Sequence, residues 1–286
     1  SSGLAARGLL ALHAILAGDL VIARGVLPAL ASEPAHRALA GTIAGMLARA
    51  DAIAGVSPLD AGDLRGWHFV TTGGLLLHRA RHGLDHGMNG RYAFVQDGHA
   101  DCLEGLRRLA AVIAAWRRPI ECVIAPDERA SRILAIAAAE VLGCTVGSLD
   151  APAGLVVVYD LDRLGPADRA ALRIADPARP LYAHSAVWTE ERPVAADLVV
   201  RLCQFYRAPW DARTGIDPAT GAPCAIPADD TSEAELAARI TGAPLAADAL
   251  DDLAVVLALA GVVHPAATGE RSRAWAGSPV PSLRFT

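Results

Sequence analysis

The sequence lacks lysine, so all 26 of its basic side chains are arginine. This absence excludes enzymes that form a Schiff base through a lysine amine, enzymes that use lysine as a general base, and nucleotide-binding loops that need a lysine on the phosphates. It also leaves arginine as the only fixed cation at any anion-binding site.

Long apolar runs and an excess of positive charge are missing as well. The best apolar stretch, residues 253–263, is shorter than the roughly 18 residues typical of a membrane span, so we expect no membrane insertion. The 26 basic and 31 acidic side chains give a net charge of −5. This balance provides no basic face for nucleic acid.

Cysteine usage indicates a reducing compartment. The five cysteines lie far apart and include no CxxC pair, which is typical of buried thiols in cytosolic proteins. Arg7, His13 and Asp19 interrupt the apolar residues near the start of the sequence, so no signal peptide is predicted. We therefore expect a cytoplasmic protein.

The spacing of apolar residues divides the chain into four regions. Alanine, about a fifth of the chain, makes up much of the apolar content, while aromatic residues stay at 5%. The predicted regions are a helical hairpin region (1–56), a linker or hairpin region (57–96), a Rossmann-like α/β domain (97–230), and C-terminal helices with a tail (231–286).

Within the second region, Gly73 and Gly74 separate two apolar runs. Residues 67–72 and 75–78 flank these glycines, which favours a β-hairpin with a two-residue turn. A helix containing both glycines is the alternative.

From residue 97 onward, helical patterns alternate with short apolar strands, as in βαβ units. Strands that are almost continuously apolar are buried on both faces, which indicates a parallel sheet. We therefore predict an α/β fold: a Rossmann-like, mainly parallel sheet with an α-helical N-terminal region and C-terminal helices. The predicted strands are 120–125, 144–146, Leu155–Asp160 and Leu181–Val187, and the predicted helices are 101–118, 130–142, 168–174 and 195–206.

The clearest motif is the apolar strand that ends at Asp160 and is followed by Asp162. An acid just beyond the carboxyl end of such a strand lies where open α/β sheets bind ligands. This Asp-x-Asp segment resembles motif I of the haloacid-dehalogenase-like phosphatases. The resemblance implies that Asp160 is the nucleophile and a Mg²⁺ ligand, that Asp162 is the acid/base, and that Ser185 supplies the second motif. Arg163 stands where that family has Thr or Val.

The same strand is similar to one in the type I phosphoribosyltransferases, in which a strand and an Ala-rich helix precede an apolar strand that ends in paired acids. Here the acids are not adjacent, and residues 163–166 (Arg-Leu-Gly-Pro) replace the Thr/Gly-rich phosphate loop. This resemblance implies a degenerate relative that binds its ligand without turnover.

Histidine is concentrated between His68 and His99. Within this stretch His78, His82 and His86 are spaced four apart, and on a continuous helix they would share one face, as zinc ligands do. They are therefore candidate metal ligands. Gly83 interrupts the helix, so a polar, solvated segment is the alternative.

Two arginines mark a candidate anion site. Arg129 and Arg132 lie at the predicted start of the helix after residues 125–127, where backbone amides and guanidinium groups together favour an anion. The alternative is two exposed arginines on a helix face.

These patterns support two functions of different class. The first is a non-catalytic or catalytically degenerate α/β module that contacts a protein partner or binds a small anionic ligand. The alternative is a Mg²⁺-dependent phosphoryl-transfer enzyme that uses Asp160 and Asp162. The first leads because each enzyme signature is incomplete: G-x-S-x-G is missing, and no G-x-G-x-x-G follows a strand.

Overall fold

A parallel sheet of seven strands lies at the centre of the computed structural model, which describes residues 2–80, 88–189, 194–264, 269–271 and 278–282. Every pair of neighbouring strands in this sheet is parallel. The strands are β1 (Leu75–Leu76), β2 (Tyr92–Gln96), β3 (Cys122–Ala125), β4 (Thr145–Ser148), β5 (Leu155–Asp160), β6 (Leu181–Val187) and β7 (Leu198–Arg207).

The spatial order of the strands is β4-β3-β5-β6-β7, and both β1 and β2 pair with the outer edge of β7. β1 pairs with the start of β7, at Leu198 and Val199, and β2 pairs farther along, from Cys203 to Arg207. Helices flank the sheet, so the predicted Rossmann-like α/β fold is confirmed. β1 and β2, which precede residue 97, belong to the same sheet.

The helices begin and end where local sequence favours it. The Glu128 carboxylate accepts bonds from the backbone N–H groups of Ala130 and Ser131, at 3.0 and 2.8 Å, and caps the helix that Gly143 ends in a left-handed conformation. The helices are α1 (Ser2–Leu16), α2 (Leu20–Ala31), α3 (Arg37–Ile53), α4 (Leu64–Thr72), α5 (His99–Ala115), α6 (Arg129–Leu142), α7 (Pro166–Leu172), α8 (Glu233–Thr241) and α9 (Leu253–Ala260). Across the described ranges, none of these helices has both the length and the apolar character needed to cross a membrane.

The predicted helix at residues 195–206 is wrong, because most of that stretch forms β7. Its first residues, Leu198 to Val200, are apolar and buried, and β7 has hydrogen-bonded neighbours on both edges. A strand inside a sheet satisfies its backbone through those neighbours and suits β-branched residues. This tertiary pairing outweighs the helical spacing of the leucines.

The predicted hairpin around Gly73 and Gly74 is also wrong. Residues 67–72 are the end of α4, and Gly73 caps that helix with a positive φ of 83°. Gly74 allows the backbone to approach β7, since a Cβ there would lie 2.2 Å from the carbonyl oxygen of Ala196. The residues that follow form β1, which is parallel to β7 and has no hairpin partner.

Candidate functional site

A buried carboxylate, Asp97, lies just beyond the end of β2 and is the centre of a polar cluster. The cluster joins α5 to three strands, because its members come from the start of α5 and from β5, β6 and β7. Asp97 accepts bonds from the Tyr159 hydroxyl (2.9 Å), His184 Nε2 (3.0 Å), Cys102 Sγ (3.1 Å) and Arg201 Nη1 (3.2 Å).

The topology of the sheet places Arg201 beside this carboxylate. Arg201 lies on β7 between the stretch that pairs with β1 and the stretch that pairs with β2. Gly105 brings α5 close to β6, since a Cβ at that position would lie 2.8 Å from His184 Nδ1. A side chain larger than hydrogen there would force α5 away from the cluster.

The charges in the Asp97 cluster compensate one another. Burial acts to raise the pKa of Asp97, but the charges of His184 and Arg201 outweigh it and hold that pKa below its ordinary value. Burial, reinforced by Asp97, raises the pKa of the Cys102 thiol well above its usual range. The cluster therefore contains an ionised carboxylate and a protonated thiol at neutral pH.

Three atoms of this cluster have metal-ligand spacing, because one ligand atom each from Asp97, Cys102 and His184 lies within 4.8 Å of the others. A metal ion would need the thiolate of Cys102, would break the bonds of Cys102 and His184 to Asp97, and would compete with Tyr159 and Arg201 for that carboxylate. The donor set fits a hydrogen-bonded structural core better than a metal centre.

A cleft of about 240 Å³ lies next to this cluster, and most of the residues that line it have polar side chains. We call it the polar cleft. Its lining residues are His78, Arg79, Tyr92, Ala100, Asp101, Glu104, Arg108, Leu245, Ala246, Asp248, Ala249 and Asp252.

His78 forms hydrogen bonds through both ring nitrogens at the wall of the polar cleft. Nδ1 lies 2.7 Å from Glu104 Oε1, and Nε2 lies 2.6 Å from the Tyr92 hydroxyl. An ionised carboxylate only accepts, so Nδ1 carries the proton, and Nε2 accepts the proton of the Tyr92 hydroxyl. The result is a hydroxyl–imidazole–carboxylate chain.

Folding shifts the pKa values of the three groups in this hydrogen-bonded series away from their ordinary values. Burial lowers the pKa of His78, although Glu104 opposes the shift. Burial alone would raise the pKa of Glu104, but His78 and nearby arginines bring it down to about 2, while burial raises the pKa of Tyr92 to about 12. At neutral pH the chain therefore consists of a neutral imidazole, a carboxylate and a protonated phenol. Such divergent values in a cleft are typical of functional sites.

Arginines hold the Glu104 carboxylate in place. Arg108 Nε lies 2.8 Å from Oε1, and Arg201 Nη2 lies 3.2 Å from Oε2. Arg201 also contacts Asp101, at 3.0 Å. Because Arg201 binds both Asp97 and Glu104, it links the buried cluster to the polar cleft.

Asp160, Asp162 and Ser185 are neighbours but have little room for a substrate. Asp160 pairs in register with Ser185, and its Oδ1 accepts a bond from the Asp162 backbone N–H at 3.0 Å, which caps a short 3₁₀ turn. The cavity beside the two aspartates is about 20 Å³. That volume holds about one water molecule and no phosphoryl group. Their catalytic role stays a prediction.

Arg129 and Arg132 both have partners within the chain. Arg129 donates to the carbonyl oxygens of Asp229 and Thr231, at 2.9 and 2.8 Å. Arg132 pairs with Glu233 at 2.7 Å and with Asp127. These bonds attach the segment before α8 to α6, and the amides at the start of α6 are capped by Glu128. Anion binding by this pair stays a prediction.

Of the three candidate metal ligands, only His78 lies within the described residues. His82 and His86 lie outside them, and both nitrogens of His78 bond to protein groups. Zinc binding by the three histidines therefore stays a prediction.

Apart from His78, the residues of the Asp97 cluster and of the polar cleft were not among the functional residues predicted from the sequence. One available signal was charge inside apolar strands, such as Arg201 within the buried run 198–203 and His184 within β6. A second was the i,i+4 pair of Glu104 and Arg108 on α5.

Comparisons of the chain with protein-family models, with curated proteins and with solved structures found no match. The geometry of the described residues is therefore the basis for proposing a function.

Proposed function

We propose that the chain binds a small polar molecule in the polar cleft and transfers a proton to or from it. The observation that carries this proposal is the hydrogen-bonded chain of Tyr92, His78 and Glu104 at the cleft wall. A hydroxyl, an imidazole and a carboxylate in series form the arrangement by which proteins activate a hydroxyl group.

The direction of proton transfer follows from the protonation states. A ligand O–H or N–H group against the Tyr92 oxygen gives its proton to that oxygen while the phenol gives its own proton to His78 Nε2. Glu104, ionised and 2.7 Å from Nδ1, stabilises the imidazolium that forms. In the reverse direction the same chain returns a proton to the ligand.

The charges at the cleft favour a ligand rich in hydrogen-bond donors. Asp101 is 46% exposed, and Asp248 and Asp252 also line the cleft. Arg79 and Arg108 line the cleft too, and Arg108 pairs with Asp252 at 2.7 Å, but the acidic side chains of the lining outnumber the arginines, which favours amines and hydroxyl groups over anions. The anionic ligand and the phosphoryl substrate expected from the sequence therefore do not suit this cleft, and monosaccharides and amino alcohols do.

Filling the cleft should abolish ligand binding. Ala246 lines the cleft and is exposed, so we expect Ala246→Trp to remove binding of any monosaccharide or amino alcohol that ligand-observed NMR detects with the wild type. Ala219→Trp is the matched control, because Ala219 lies in an exposed turn and does not line the cleft, and this variant should bind as the wild type does. Undiminished binding to Ala246→Trp would rule out the cleft.

The hydrogen-bonded chain of Tyr92, His78 and Glu104 predicts two opposite shifts in the pKa of His78, which NMR titration of the histidine ring signals measures. Glu104→Gln should lower it further, because the carboxylate stabilises the imidazolium. Tyr92→Phe should raise it, because the phenol donates to the neutral ring. The half-buried His36, which does not line the cleft, is the internal reference, and a shift of the same sign in both variants would contradict the proposed hydrogen-bonded chain.

The protein partner and the cytoplasmic location that the sequence suggests stay proposals. Phosphoryl transfer with Mg²⁺ at Asp160 and Asp162 has less support, because the cavity there is too small for the transferred group.

A further inference from the structure

A second and larger cleft, of about 560 Å³, lies where α3 and α4 meet the start of β7. We call it the arginine cleft, after Arg49. It is lined by Gly41, Thr42, Gly45, Met46, Arg49, Phe69, Thr71, Thr72, Gly73, Ala195, Ala196, Asp197, His264, Gly269, Glu270 and Arg271.

Arg49 is held in a fixed orientation by the end of α4. Its Nε donates to the carbonyl oxygen of Val70 at 2.8 Å, and its Nη2 contacts that of Thr71 at 3.5 Å. Nη1 lies on the side of Gly45 and Gly73, where added Cβ atoms would lie 3.6 and 3.9 Å away. Because both neighbours are glycines, neither has a side chain that covers this side of the guanidinium, and all three residues line the cleft.

The other fixed charges of the arginine cleft are neutralised. Asp197 pairs with Arg271 at 2.9 Å, and Glu270 pairs with Arg173 at 3.0 Å. Within the described ranges no acidic side chain pairs with Arg49, whose partners are carbonyl oxygens. Burial lowers the pKa of Arg49 to about 10, which leaves it a cation at neutral pH.

From this geometry we infer that the arginine cleft binds a small organic anion, with its carboxylate or phosphate group on Arg49 and an apolar body against Met46 and Phe69. A guanidinium held by two carbonyls and open on its remaining edge is a ready partner for an oxyanion. The cleft is far larger than an oxyanion alone needs, and both apolar side chains are almost fully buried in its wall.

The first test uses benzoate and inorganic phosphate as probes, with affinity measured by calorimetry and by thermal shift. The wild type should bind benzoate, and Arg49→Gln should bind it about tenfold more weakly or not at all, a loss of about 1.4 kcal/mol or more. Arg239→Gln removes an exposed arginine that does not line the cleft and should keep the wild-type affinity.

A second pair of variants leaves Arg49 and its bonds to α4 intact. Gly45→Glu places a carboxylate one helical turn before Arg49, the favourable i,i+4 order, and should neutralise it and abolish benzoate binding. Gly45→Gln adds the same bulk without charge and should retain more binding than the glutamate variant.

The outcomes distinguish a carboxylate ligand from a phosphate ligand, and they decide whether the inference is correct. Tighter binding of benzoate than of phosphate supports a carboxylate ligand with an apolar body, and the opposite order supports a phosphate group. Failure of the wild type to bind either probe overturns the inference. Equal binding by Gly45→Glu and Gly45→Gln, or by Arg49→Gln and the wild type, does the same. None of these results depends on His78.

Discussion

Replacement of Asp97 by asparagine should lower the free energy of unfolding by about 3–5 kcal/mol, the usual cost of breaking a buried ion pair on one side. Asp97 is fully buried and accepts bonds from four donors, including the charged Arg201. Asparagine keeps the shape but removes the charge opposite Arg201. It also turns an N–H group toward one of its former donors.

Urea unfolding at neutral pH measures this loss. Asp51→Asn is the matched control because Asp51 also pairs with an arginine, Arg24, but at an exposed site. We expect the control to unfold close to the wild-type midpoint, since exposed ion pairs contribute little. A loss from Asp97→Asn no larger than that of the control would show that the cluster is not essential to stability.

Acidification should destabilise the protein through Glu104, whose pKa falls from an ordinary 4.5 to about 2 on folding. As the pH falls, the Glu104 carboxylate is protonated at a higher pH in the unfolded chain than in the folded protein. The contribution to stability is therefore fully present above pH 4.5 and is lost as the pH falls toward 2. The shift corresponds to about 3 kcal/mol. Asp252, with a pKa of about 2, acts in the same direction.

Glu104→Gln separates this contribution from the general effect of acid. The variant should be less stable at neutral pH, because Arg108 and Arg201 lose an ionised partner. Its free energy of unfolding should also fall less steeply between pH 5 and 3, by up to one bound proton, about 1.4 kcal/mol per pH unit. Urea titrations at several pH values measure the slope, and the exposed Glu121→Gln is the control. An unchanged slope in Glu104→Gln would contradict the linkage.

The sequence predictions were correct for segments whose own residues and flanking turns determine their structure, and wrong for segments whose structure depends on distant neighbours. The predicted bounds of β5 and β6 match the structure because both are largely apolar segments with turn residues on either side. The helix predicted at 130–142 is likewise present, because Gly143 stops it locally. β7 and the end of α4 were assigned wrongly, since leucine spacing or a glycine pair alone does not reveal which strand lies alongside.

The candidate site shows an even larger difference between features with a local sequence pattern and features that depend on distant residues. The aspartates at the end of β5 follow a recognisable pattern, and the structure gives them a small cavity. The residues of the buried cluster around Asp97 have weak local patterns, because their partners are distant along the chain: Asp97 bonds to His184, 87 positions away, and to Arg201, 104 positions away.

The residue types available for charge pairing, and part of the secondary structure of the core, follow from the amino-acid sequence alone. Without lysine, arginine had to supply every fixed cation, and the apolar runs at Leu155–Asp160 and Leu181–Val187 indicated buried strands. Which arginine neutralises each carboxylate depends on the folded arrangement of the chain. Arg129 and Arg132 have internal partners, Arg201 joins three carboxylates, and Arg49 has only carbonyl partners among the described residues. The physical reason is that ion pairing depends on distance and burial in three dimensions, and chain topology sets both.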